Sequence, residues 1–343
     1  MKNKKIGIIV LVIILLAGGA YAFISLGTQT PEEEVMAAER KTTSADSYSI
    51  NMEMDMNVTG MEEAPDVSFL FRGDYDRLAG AFDGEGEINV LMEGLAANFG
   101  SRVILADDNL YGRVTTFPYM ALPIGGEQVD MITENNILLV EDVPTKINLF
   151  LEDLFTDMER DPLTLEELLE KSEDLSRQMW REGAIVVTDV NRDDLEGEKA
   201  DRYTLEIDGE KTADFVTGLI EDYEIMELFP QLTEEEKEEM LREMDRELRE
   251  SYEDEEIYVW VQDGYLVRME MMSTTEIKEE DLPQVDELNE VPEAVTVKMI
   301  VEYSNFNEEF DITAPEEHIT LEELMESLQL FPLFDLNPED VEL

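Results

Sequence analysis

The sequence contains no cysteine in 343 residues. That single absence excludes disulfides, thiolate metal sites, cysteine nucleophiles and a lipid-modified N-terminal cysteine. Histidine occurs once, at His318, in a polar stretch just ahead of Thr320 that reads as a solvated turn. There is no G-x-S-x-G, no H-E-x-x-H and no phosphate-cradling glycine loop, and no pair of carboxylates stands out from the acidic background. The chain therefore reads as non-enzymatic, with no cofactor and no metal centre. A hydrolase using two carboxylates is the residual enzymatic reading.

Basic residues are scarce. Lys and Arg number 25 against 84 Asp and Glu, a net charge of −59, and Lys2, Lys4 and Lys5 account for three of the 25. Such a surface repels nucleic-acid phosphates and anionic headgroups, so nucleic acid is excluded as a partner. It also repels itself, and screening cations are expected as its counterpart. Adaptation to a saline milieu explains the charge more simply than a dedicated calcium site. The run DVNRDD imitates the opening of an EF-hand loop with Asp189, Asn191 and Asp193. Asp194 stands where that loop needs glycine, however, and Ala200 where it needs glutamate.

Long apolar runs are also rare, with one exception. No charge occurs from Ile6 to Gly27, and Ile6–Leu26 as a helix spans about 31 Å, enough to cross a bilayer. The lysines ahead of it keep that end cytoplasmic and export the rest. Residues 1–27 are expected to be a signal-anchor, giving a single-pass cell-membrane protein with its bulk extracytoplasmic. Ala20-Tyr21-Ala22 keeps open a cleaved signal peptide and a secreted product. Residues 28–46 read as a polar tether in which Val35–Lys41 can begin a small helix. Residues 336–343 read as an acidic tail.

What the chain does have is alternation. In SYSINMEMDMNVTG, Tyr48, Ile50, Met52, Met54, Met56 and Val58 alternate with polar residues, the period of a strand with one dry face. VSFLFRGDY puts Val67, Phe69 and Phe71 on one face. AFDGEGEINVLM does the same for Phe82, Ile88, Val90 and Met92, with Gly84 and Gly86 expected to mark a bend or bulge. LAANFGSRVIL aligns Leu95, Ala97, Phe99, Val103 and Leu105. With a strand around LYGRVTTF after the Asp107-Asp108-Asn109 turn, these form an antiparallel meander.

The middle of the chain is helical in pattern. PTKINLFLEDLFTDME carries Phe150 and Leu154 on a broad apolar stripe, and Thr233 with Glu236 forms a capping box ahead of Met240 and Met244. Strands are expected at 185–190 and 202–207. They return in IYVWVQDGYLVRMEMM, a hairpin about Asp263-Gly264, whose first strand is apolar on both faces and so reads as twice buried. AVTVKMIVEY follows. The fold class is α+β: one large antiparallel sheet with helices gathered on one face, a single exported domain over 47–335.

YVWVQDGYLVR at Tyr258–Arg268 and IVEYSNFNEEFDITAP at Ile300–Pro315, together with the order of strands, helices and strands, resemble the lipoprotein-carrier superfamily of the LolA and LppX types. That resemblance implies a strongly curved, half-open barrel under a helical lid, enclosing an apolar cavity for acyl chains. The sequence departs from that pattern in lacking a lipobox cysteine and in carrying an apparent anchor, and a tethered protein cannot ferry cargo far.

Methionine fits that expectation, because surfaces that accept variable apolar partners overuse it, and the chain has 19. The expected lining of an apolar site is Met52, Met54, Met56, Phe69, Phe71, Ile88, Val90, Met92, Phe99 and Val103 from strands. Phe150, Leu154, Met240 and Met244 are expected to join them from helices. The partner is then a lipid or acylated molecule. A structural or sensory ectodomain with a filled core, acting through protein contacts, is the alternative.

Overall fold

The structure is a computed structural model that describes residues 30–61, 64–92, 95–117, 133–146, 177–195, 197–222, 233–251, 256–276 and 293–327. In chain order its elements begin with α1 (Pro31–Thr43), β1 (Ser47–Thr59), β2 (Asp66–Asp76), β3 (Ala81–Met92), β4 (Leu95–Ala106), β5 (Asn109–Thr116) and β6 (Ile137–Val140). They continue with β7 (Ile185–Leu195), β8 (Glu198–Ile207), α2 (Gly209–Asp222), α3 (Glu234–Ser251), β9 (Glu256–Gln262), β10 (Tyr265–Glu276), β11 (Ala294–Ser304), β12 (Ile319–Thr320) and α4 (Leu321–Ser327). No described helix is long and apolar enough to cross a membrane. Ile6–Leu26, Phe150 and Leu154 lie outside the described residues.

The chain forms two compact, interleaved units. One takes Met1–Ser44 and Ile147–Ser273, the other Ala45–Lys146 and Thr274–Leu343. In the second, the strand order is β12-β6-β5-β4-β3-β2-β1-β11. The pairs are antiparallel except the short β6–β12 pair. The expected meander is present, and the late strand β11 returns to lie beside β1. The β4–β5 turn places Asp107 and Asp108 at φ 51° and 63°, the left-handed pair that a two-residue hairpin turn requires. Fully buried packing in this unit gathers at Ile104, Ala106, Tyr111 and Leu138, on which Ile312 and Ala314 of the FDITAP stretch pack. His318 is exposed, as expected, with its ring edge-on to Tyr111.

In the first unit β10-β9-β8-β7 is a four-stranded antiparallel order, and neither unit's order closes on itself. The Asp263-Gly264 turn is the anticipated one, with φ 51° and 76°. Part of the stretch expected to be a tether is α1, a packed helix. Its start is written in the sequence as a capping box between Thr30 and Glu33 with Pro31 in the first turn, and its ends carry the charges the helix dipole favours. Val35, Ala38 and Thr42 are buried. The Thr42 hydroxyl donates to the Leu266 carbonyl (3.2 Å) and accepts from its N–H (2.8 Å), next to the bulge in the β9–β10 ladder. Tyr203, 2% exposed, donates its hydroxyl to Glu34 at 2.6 Å; burial first, then that bond, pushes the phenol up. Tyr203, Leu205, Ile257 and Val259 share one face of β8 and β9 and are buried, and α1 reaches that face at Tyr203. Trp260, on the opposite face of β9, is buried too, so that strand is dry on both sides as expected.

The run that imitates an EF-hand opening lies in a strand. Asp189–Asp194 is extended strand within β7, paired residue by residue to β8. Asp193 is engaged by Arg202 at 3.6 Å and by the Trp260 indole N–H. No group of metal-ligating side chains occurs among the described residues.

Candidate functional site

Register gathers the strand candidates. Met52 lies between Phe71 and Val301, Met54 between Phe69 and Met299, and Met56 between Val67 and Val297. The rows continue outward: Phe69 faces Ile88, which faces Phe99, and Val67 faces Val90. Val103 faces Gly84, and the side chain of Met92 lies outside the described residues. The other strand residues expected to line an apolar site thus share one face of β1–β4, flanked by Val295, Val297, Met299 and Val301 of β11. Because pleating sends alternate side chains to opposite faces, one conserved parity across five strands yields one continuous apolar surface.

That surface is half-buried. Met52, Met54, Met56, Phe69, Phe71, Val90 and Val103 are intermediate in exposure, and Ile88 and Phe99 are 42% and 36% exposed. Val301, at 2%, is the buried exception beside Met52.

Gly84 and Gly86 do not make the bend or bulge expected of them. β3 pairs both neighbours without a register shift at either position. The glycines instead make room for aromatic rings to lie down on the sheet. A Cβ at Gly84 would stand 2.5 Å from Phe82 Cζ and 2.9 Å from Phe71 Cζ, and one at Gly73 would stand 2.8 Å from the Phe82 ring. Phe69, Phe71 and Phe82 stack in sequence with centroids 6.5 and 5.8 Å apart. This ring ladder over a glycine trough was missed from sequence; its signal is the alternate glycines Gly84 and Gly86, which face Gly73 and Phe71 on the neighbouring strand.

The helical candidates belong to the other unit. Met244 is buried with Leu248 of α3 against Ala213 and Ile220 of α2, and Met240 is half-buried one turn earlier. Met244 fills a helix–helix core there, the ordinary use of an apolar stripe. Thr233 and Glu236 make the expected capping box.

The reverse face of β1–β4, which carries the buried Ile104 and Ala106 at one end, also holds a cleft of about 340 Å³ lined largely by polar residues. Its lining includes Ser49, Asn51, Arg72, Asp74, Asp83 and Glu85, with Arg102 and Ser304. Asp74 faces Asp83, and Asn51, Arg72, Glu85 and Arg102 form one cross-strand row. Arg102 reaches diagonally to Asp83 in a two-pronged pair, 2.8 Å from Nε and 2.5 Å from Nη2, and this bond holds its guanidinium above its ordinary pKa. Ser49 donates to Asp74 and accepts from Asn305. None of the expected lining residues borders this cleft, which is formed mostly by the polar half of each alternating strand, with Ile50 and Gly73 beside it.

No family model matches the chain, and no curated protein is detectably similar to it. Among solved structures it is similar to the crystal structure of a DUF1329 family protein from Desulfovibrio piger, at 9% identity over 90% of this chain and 98% of that one. The TM-score is 0.21, too low for fold or function to be transferred.

Proposed function

We propose that the chain is a membrane-tethered, extracytoplasmic binding protein that holds a hydrocarbon chain, of a lipid or an acylated partner, on the apolar face of β1–β4 and β11. The observation that carries this reading is the half-burial of a continuous Met- and Phe-rich surface. Burying apolar area is worth about 25 cal/mol per Å², so a surface left half-wet keeps stabilisation in reserve for a guest. Methionine side chains adapt to guests of differing shape, while the stacked rings over the glycine trough give a flat, rigid floor. The curvature and helical lid implied by the carrier resemblance would shape this surface into a cavity, and the Ile6–Leu26 anchor would keep it near its lipid source.

Photo-crosslinking of the full chain in nanodiscs with a diazirine-bearing fatty acid tests this. Adducts within 47–59, 66–76 and 81–92, suppressed by Met54→Glu in a variant whose circular dichroism is unchanged, are the expected result. Labelling confined to 6–26, or no labelling at all, overturns the reading.

A further inference from the structure

The cleft on the polar face contains an ion pair that is not made. Arg72 and Glu85 stand directly opposite each other on β2 and β3, where facing side chains are about 5 Å apart and opposite charges ordinarily join. They do not join here. Arg72 turns its Nε to the Asn51 side-chain oxygen at 3.2 Å, which leaves both terminal nitrogens without a partner among the described residues. Among the described residues Glu85 approaches no base more closely than Arg102 Nε at 4.0 Å, and Arg102 itself is committed to Asp83. The Asp74 side chain accepts the Ser49 hydroxyl and no other described donor. Between these separated charges lies the cleft volume.

We propose that this cleft binds a small zwitterion of amino-acid size, one carrying a carboxylate and an ammonium group. The two free nitrogens of Arg72 form a planar fork that matches a carboxylate in two-pronged fashion. Glu85 and Asp74 supply acceptors for an ammonium a few ångströms away. About 340 Å³ is at the small end of ligand-binding clefts, which suits an amino acid and not an acyl chain. A simple anion is disfavoured because the three lining acids repel it. A simple cation leaves Arg72 unanswered and adds nothing that the rest of this acidic surface does not offer. The site is on the reverse of the sheet from the apolar surface, so it neither requires nor excludes the lipid reading.

Titration calorimetry on the full chain in nanodiscs tests this with three probes: L-serine, acetate and ethylammonium. L-serine is expected to bind one to one, with acetate and ethylammonium each at least about tenfold weaker. Arg72→Gln and Glu85→Gln should each weaken L-serine about tenfold or more, while Arg77→Gln, outside the lining, should leave it unchanged. Melting temperatures of the three variants equal to that of the parent establish that the loss is not one of folding. Absence of L-serine binding up to about 10 mM, binding equal to that of acetate or ethylammonium, or binding indifferent to Arg72→Gln overturns the proposal.

Discussion

The two units carry strands of similar alternating sequence but different dryness. On the face of β8 and β9 that α1 reaches at Tyr203, the side chains of Tyr203, Leu205, Ile257 and Val259 are at most 9% exposed. On β1–β4, the residues that occupy the equivalent dry parity are half-buried, and two of them, Ile88 and Phe99, are exposed by about two-fifths. Alternation alone therefore does not say how dry a face becomes. The difference comes from what is laid on it: α1 brings Val35, Ala38 and a hydrogen-bonding Thr42 to the sheet of the first unit.

The largest expected effect that sharpens this comparison is on stability. Ile257→Ala should cost about 2–5 kcal/mol in denaturant unfolding, the range for emptying a buried aliphatic site. Met54→Ala, from a half-buried site, should cost about 1 kcal/mol or less. Equal costs would break the distinction between the two faces.

Next in size is the glycine trough. Gly84→Val drives a side chain into the Phe82 and Phe71 rings and should destabilise by about 1–3 kcal/mol, as overpacking does. It should also disturb the near-ultraviolet aromatic circular dichroism. Gly80→Ala is a comparison at a glycine with open space around its Cβ but with φ at 62°; its cost should come from backbone strain alone, with that spectrum unchanged.

A smaller effect probes how dry the first unit is. Burial holds Glu39 of α1 well above the usual carboxylate range. The folded state thus favours the protonated acid, and this contribution is fully present below the unfolded pKa and lost as pH rises through the folded value. Glu39→Gln should accordingly raise the melting temperature at neutral pH and leave it unchanged below about pH 4. A gain that is constant with pH would show that Glu39 is solvated and its surroundings wet.

The smallest effect per charge, summed over many, is screening. With a net charge of −59, melting temperature should climb with salt up to ionic strengths at which the Debye length is about 3 Å. A flat response would mean that self-repulsion is unimportant to either unit.

Much of this was legible in advance because it is local. Period-two alternation placed β1–β5 and their parity. Asp107-Asp108 and Asp263-Gly264 announced their turns, and Thr233 with Glu236 announced α3. The misreadings were of residues whose role depends on a neighbour distant in sequence. Gly84 and Gly86 looked like a bend until Phe71 and Phe82 were laid over them. Met244 looked like a ligand wall until α2 covered it. Arg72 and Glu85 carried no signal at all, since only strand register sets them face to face.

The sequence by itself determined the acidic surface, the absence of thiol chemistry, the candidate anchor, and the apolar parity of each strand, because each follows from composition or from the fixed repeat of the backbone. Tertiary structure alone decided which parity was sealed, which stayed half-wet, and where opposite charges were left apart. Those outcomes depend on which segment comes to rest on which face, and that is a property of contacts between residues far apart in the chain.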